Sequence, residues 1–357
     1  MKITMPGYYA SFRCLAGKCP DSCCKEWDVD VDDASAAMYR ALPGELGDRL
    51  RSSLKDTEYG VQMQAQDGRC PMWRKDGLCR IQAELGENAL CDVCRNFPRI
   101  SHDYGNFREL GLELSCPEAA RLTLTCEDDS VIAFEEDGGD APDYDLNDMK
   151  ILKESRAQAL SLLQSKSAKD ALMLLLLNAQ TVQSCLDAAV MLPKDALMHS
   201  SDGTAPGKPM QHAFLSFFKN LEILTPRWRQ RLDNPVSPRF PKEMTALIRY
   251  LTERYWLQAI SDYDIAGRIK FIVASCLVVA YLPGSFMENA QLFSKEIEND
   301  ADNVDAILDA VQSEQCFSDE SLLGMLRQCT QEPVTECKGA AYENHAPVRS
   351  PFGEKTE

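Results

Sequence analysis

At 357 residues the chain is longer than one ordinary domain, so two cores are expected. Hydrophobic residues make up 45% and aromatics 8%, which argues against a chain that is disordered throughout. The formal charge of −17 argues against a nucleic-acid binder, because phosphate partners call for a basic face.

From Met1 to Arg13 the apolar residues are repeatedly interrupted by polar residues, Gly and Pro. No signal-peptide run is visible, and the cytoplasm is the expected compartment. The cysteines then begin. Ten of the fifteen lie between Cys14 and Cys126, in short segments punctuated by Gly and Pro. They run Cys14-x4-Cys19-Pro-Asp-Ser-Cys23-Cys24-Lys-Glu-Trp27, Cys70-Pro-Met-Trp73, Cys79-Arg-Ile, Cys91-Asp-Val-Cys94-Arg-Asn-Phe-Pro-Arg99 and Ser115-Cys116-Pro-Glu118. Irregular loops with short helices are expected here, with a metal standing in for the core that such a region lacks.

Short spacings let neighbouring thiolates share a soft metal, and distant segments close the site. Cys19, Cys23, Cys24, Cys70, Cys79, Cys91, Cys94 and Cys116 are the candidate ligands, enough for one cluster with thiols to spare or for two sites. Four readings compete. An iron-sulfur centre suits a ligand set of cysteines with His102 as the one histidine nearby. Structural zinc usually shows two tight C-x2-C pairs, and only Cys91 and Cys94 make one. A disulfide scaffold requires an oxidising compartment, and plain buried thiols are seldom so clustered. The radical S-adenosylmethionine pattern C-x3-C-x2-C is absent in its usual form, because Cys19-x3-Cys23 is followed at position 26 by Glu26. Trp27 and Trp73 are expected to shield the metal. Glu26 and Glu118 are candidate proton acceptors or partners of ligands. Arg69, Arg74, Lys75, Arg80, Arg95 and Arg99 are surface charge, compensation for an anionic cluster or a grip on a carboxylate.

Between Glu127 and Asp148 stand ten carboxylates (Glu127, Asp128, Asp129, Glu135, Glu136, Asp137, Asp140, Asp143, Asp145, Asp148) and no Lys or Arg, with Gly138-Gly139 and Pro142 among them. A linker or surface loop is predicted at 127–147. Apolar residues then recur at helical spacing, predicting helices over 146–165, 169–191, 209–223, 242–259 and 263–281. Val304, Ile307, Leu308 and Val311 share one helix face, and Ser318 is an N-cap ahead of Asp319 and Glu320. The apolar run Phe271–Leu282 is too short to span a bilayer and reads as a buried helix. Ser200–Pro209 reads as a loop. Tyr250, Arg254, Tyr255, Trp256, Asp262, Tyr263 and Asp264 suit a lysine pocket or, more simply, core packing and a helix cap. Cys185, Cys276, Cys316, Cys329 and Cys337 are read as core or tail thiols. The division expected is therefore a metal-binding region at 1–126, the acidic stretch, an α-helical domain at 148–330 and a disordered tail at 331–357: a mainly α protein with no repeat of fixed period.

The opening Pro6-Gly7-Tyr8-Tyr9, the Cys19–Trp27 segment, Cys91 to Arg99 and Ser115-Cys116-Pro-Glu-Ala-Ala-Arg121 resemble the flagellin lysine-N-methylase family. The resemblance implies methyl transfer from S-adenosylmethionine to lysine side chains of flagellin, in a protein carrying a [4Fe-4S] cluster. The chain lacks the Gly-rich strand-turn-helix segment of a Rossmann-type methyltransferase, so the donor is expected to be held elsewhere, for example at an open iron flanked by arginines. The alternative is a non-catalytic zinc- or iron-binding module that handles metal or docks a partner.

Overall fold

A computed structural model describes residues 1–331 except 59, 127, 129, 200–204 and 206. Helices dominate it from residue 146 onward. The helix Ile265–Tyr281 runs through the centre, buried along almost its whole length, which is why its sequence is apolar on every side. The helices Met244–Tyr255, Ala179–Asp187, Ala301–Ser313 and Asp319–Gln328 pack around it. Side chains at the N-caps Asp145, Ser167, Thr225, Asp264, Asp300 and Ser318 each accept from backbone N–H groups of the first turn. Among the described residues no helix is long and apolar enough to cross a membrane.

The predicted helix at 146–165 is Leu146–Ser165, and that at 209–223 is the shorter Gln211–Asn220. The stretch 169–191 instead forms two helices, Ala168–Leu177 and Ala179–Asp187, broken at Asn178. The Asn178 side-chain amide donates to the carbonyls of Leu174 and His199, offering the backbone an alternative to continuing straight. The stretch 242–259 ends as an α-helix at Tyr255 and continues as a tighter turn, Trp256–Gln258. Tyr263, at φ +59°, separates this segment from the next helix, and Asp264 caps Ile265–Tyr281 through Gly267 N–H. In Ala301–Ser313 the expected face packs inward, Ile307 and Val311 fully and Val304 and Leu308 partly. Residues 200–204 and 206 of the expected loop and 332–357 of the expected tail lie outside the described residues.

The cysteine-rich region departs from the loops and short helices expected of it, because it also holds two sheets. One has four strands in the order Arg99–Asp103, Phe107–Leu112, Lys2–Pro6, Val131–Glu135. Lys2–Pro6 lies parallel to Phe107–Leu112, with Ile3 beside Arg108, and antiparallel to Val131–Glu135. The acidic stretch read as a loop therefore supplies an edge strand, Val131–Glu135, and its carboxylates suit an edge because charge discourages further pairing. The other sheet joins Val29–Val31, Gly60–Met63 and Leu54–Thr57. These strands are short, and although Leu54–Thr57 and Gly60–Met63 form a hairpin, Val29–Val31 meets its partner far along the chain, so alternation alone does not betray the sheet.

The main hydrophobic core does not stop at residue 126. Tyr104, Phe107, Leu114, Ala120 and Leu124 pack into it with the helices of the second half. A smaller core, Val29, Val31, Ala36, Tyr39, Leu50, Met63, Met72, Ile81 and Leu90, includes Cys91 and has Cys70, Cys79 and Cys94 packed against it.

Candidate functional site

Four chain segments bring the thiols together. Residues 24–26 lie antiparallel to 68–70, tied by Glu26 N–H to Gly68 O (3.0 Å) and Cys70 N–H to Cys24 O (2.8 Å). A tight turn brings the chain back so that Trp73 pairs with Cys79. Cys79 and Cys91 then occupy the N-cap positions of the short helices Arg80–Leu85 and Asp92–Asn96, and Cys116 the same position of Pro117–Thr125. Amides of these first turns favour the thiolates they face, from Ile81 and Gln82 at Cys79 and from Glu118 and Ala119 at Cys116. Asp32 braces the arrangement. One carboxylate oxygen caps the helix Asp33–Ala41 through Ser35 N–H and the other accepts from Asp92 N–H, both at 2.9 Å, beside Cys91. Tyr39 donates to Ala89 O from within the small core.

The thiols lie close enough to shift one another's titration, and Cys70 Sγ also donates to Met63 Sδ (3.5 Å). Cys24 contacts both Cys23 and Cys70, and Cys91 contacts Cys94. Proximity to Cys94 brings the Cys91 thiol down, while Cys94 keeps its proton. Contact with Cys24 brings Cys70 down, and contact with Cys24 together with burial pushes Cys23 up. Burial raises Cys79 and Cys19 and pushes Cys116 up to about 12. Cys79 also senses Cys23 and Cys91, and Cys94 senses Cys23 and Cys24, so these six thiols form one group. Cys19 and Cys116 adjoin it through Cys23.

All described cysteines are free thiols. Among the described residues no three His, Cys, Asp or Glu side chains are already drawn together as a metal-ligand set. The donors fit a soft metal in kind: they are all sulfur, and each contact holds a proton that a metal would displace.

The residue that sequence reading missed is Lys295. It lies in a five-residue π turn, Ser294–Glu298, that follows the helix Phe286–Phe293, and it is 1% exposed. Its ammonium pairs with Glu26 (2.7 Å) and Asp21 (3.3 Å), on either side of Cys23 and Cys24, and stands 4.9 Å from the Trp27 ring centre. Gln291 donates to Asp21 and to Ser115 O, next to Cys116. The same turn aims Glu296 at the N–H groups of Leu224 and Thr225, and Glu298 at Tyr250, Tyr255 and Arg254. Three buried charges on one π turn thus join the cysteine segment to the helical core. Nothing in the helical periodicity signals this, because the wider turn points neighbouring residues inward together.

Other candidates are accounted for by their contacts. Glu26 is held by Lys295, and Glu118 is clamped by Arg121 at 2.7 and 2.8 Å, so neither is a free proton acceptor. Arg74, Arg80 and Arg95 pair with Asp76, Glu84 and Asp92, Arg69 stacks on Trp73 at 4.0 Å and Arg99 lies over Phe12. Trp27 packs against Phe97. Tyr250, Tyr255 and Trp256 are core residues, Trp256 donating to Ser155 Oγ, while Asp262 pairs with Arg268. Cys185, Cys276, Cys316 and Cys329 are buried in the helical core, and Cys337 lies outside the described residues.

Over 136 residues, 35% of its length, the chain is 31% identical to the flagellar biosynthetic protein FliU of Salmonella muenchen, of which the match covers 79%. It is equally identical over 136 residues to lysine-N-methylases of Salmonella typhimurium and Salmonella choleraesuis, where the match covers 33% of each. The chain thus spans about a third of the methylases' length. No family model matches it, and no solved structure does.

Proposed function

The chain belongs to the flagellin lysine-N-methylase family, and from that membership we propose that it transfers a methyl group from S-adenosylmethionine to lysine side chains of flagellin in the cytoplasm. The observation that carries this reading is the 31% identity shared with both a flagellar protein and lysine-N-methylases. The group of Cys23, Cys24, Cys70, Cys79, Cys91 and Cys94, with Cys19 and Cys116 beside it, would hold a [4Fe-4S] cluster. Bound there, the cluster would supply a Lewis-acidic or one-electron centre in addition to fixing the loops.

Methyl transfer by displacement needs a neutral amine. The lysine nitrogen attacks the methyl carbon, the carbon–sulfur bond breaks with its electrons going to sulfur, and the methylated ammonium then loses a proton. The protein's task is to desolvate the amine and align it with the donor. Incubating purified, iron-loaded protein with flagellin and S-adenosylmethionine under reducing anaerobic conditions tests this. Lysine mass shifts of one methyl group are expected, with one equivalent of S-adenosylhomocysteine formed for each.

A second reading, a metal-binding module without catalysis, is favoured by the match covering only a third of the methylases. Flagellin binding without any mass shift would select it.

A further inference from the structure

A cavity of about 410 Å³, in the range of small-molecule pockets, lies where the four-stranded sheet meets the helices Leu146–Ser165 and Met244–Tyr255. Lys153, Arg156 and Leu160, at i, i+3 and i+7, line it from the first helix; Phe107 and His102 line it from the sheet. Most of its charge is already committed. Arg156 grips Glu109 through two hydrogen bonds, at 2.6 and 2.7 Å, and Arg254 is held by Tyr250 and Glu298.

Lys153 and His102 are not. Lys153 Nζ stands 3.3 Å from the Phe107 ring centre and makes no ion pair among the described residues. His102 is neutral, because burial first and the Arg254 charge second lower its imidazole to about 4, and its buried Nε2 has no hydrogen-bond partner among the described residues. A buried ring nitrogen left unpaired is costly unless a ligand meets it, and the Lys153 ammonium at the cavity's exposed edge is free to meet an anion. Another cavity, about 400 Å³ beside Cys70, differs in that its Arg74 is paired with Asp76 and its Arg69 is stacked on Trp73.

Resting on the methyltransferase reading, we propose that the cavity between sheet and helices binds the methyl donor, a zwitterionic nucleoside sulfonium, with its amino-acid carboxylate on Lys153, its apolar body against Phe107 and Leu160, and a base amine donating to His102 Nε2. The site is remote in sequence from the thiols that sequence reading marked for the donor, and it joins strand and helix residues from both halves of the chain.

Calorimetric titration of the full-length protein with S-adenosylhomocysteine tests the assignment, with the thermal midpoint of each variant measured alongside. Lys153→Met and Leu160→Trp are expected to weaken binding about tenfold or more, as loss of a charge-assisted hydrogen bond or of the cavity volume would. Lys153→Met should keep the thermal midpoint, because it removes an exposed charge that makes no ion pair among the described residues, and it therefore reads the site even if Leu160→Trp misfolds. Arg69→Met, in the cavity beside Cys70, should bind as the wild type does. Unchanged affinity in Lys153→Met would overturn the location and leave the methyltransferase reading standing, as would loss of affinity in Arg69→Met alone. No binding of S-adenosylhomocysteine by the wild type would count against that reading itself.

Discussion

Replacing Lys295 by Met keeps the length of the side chain and removes the charge that joins the π turn to the cysteine segment. Breaking a buried ion pair by removing one partner costs about 3–5 kcal/mol when the remaining charge is left buried. Here the cation is 1% exposed while the side chains of Asp21 and Glu26 are 26% and 32% exposed, so water takes over part of their solvation. A loss of roughly 2 kcal/mol is therefore the reasonable magnitude. At about 2–4 °C per kcal/mol for a domain of this class, Tm should fall by roughly 4–8 °C. The loss should also be local. Hydrogen exchange in residues 19–27 and alkylation of Cys23 and Cys24 should accelerate, while amides of the helix Ile265–Tyr281 keep their protection. Lys295→Arg should recover part of the effect through its charge. If Lys295→Met melts with the wild type and exchange at 19–27 is unchanged, the ion pairs do not fasten the cysteine segment and the coupling argued above is wrong.

Cys70→Ser should lower bound iron, measured colorimetrically per protein, whereas Cys316→Ser, in the helical core, should leave it unchanged; equal iron in both variants would remove Cys70 from the metal group. Asp32 is held down to about 2, first by the Asp92 amide and then by that of Ser35. Its depressed value contributes stability that is present above the unfolded carboxylate range near ~4 and lost as pH falls through about 2. Asp32→Asn should therefore flatten the acid limb of Tm against pH between about 4 and 2, and an unaltered limb would show that the bracing carboxylate makes no difference. Phe317 is fully buried among Phe214, Phe217 and Phe218, with ring centres 5.0–6.3 Å away. Phe317→Ala should cost about 3–5 kcal/mol in denaturant unfolding, and a loss below ~1 kcal/mol would mean that this corner collapses around the gap.

Local regularities were legible in the amino-acid order. The helix Leu146–Ser165, the all-round apolar Ile265–Tyr281 and the Ser318 cap follow from spacing within a few residues. The grouping of the thiols follows from their crowding into the first third of the chain. Membership of the family rests on the same cysteine segments and is matched by the 31% identity to its relatives.

Tertiary structure alone decided what depends on partners far apart in the chain. Lys2–Pro6 is a strand because Phe107–Leu112 and Val131–Glu135 flank it, although its own five residues, KITMP, carry no clear alternation. Lys295 is a buried anchor because Asp21 and Glu26 meet it across some 270 residues. His102 and Lys153 share a cavity only because a strand of the cysteine-rich half packs on a helix of the other. Helical periodicity and caps act within a turn and are written in neighbouring residues; strand pairing, buried charge and cavities are set by whichever segments the whole chain brings together.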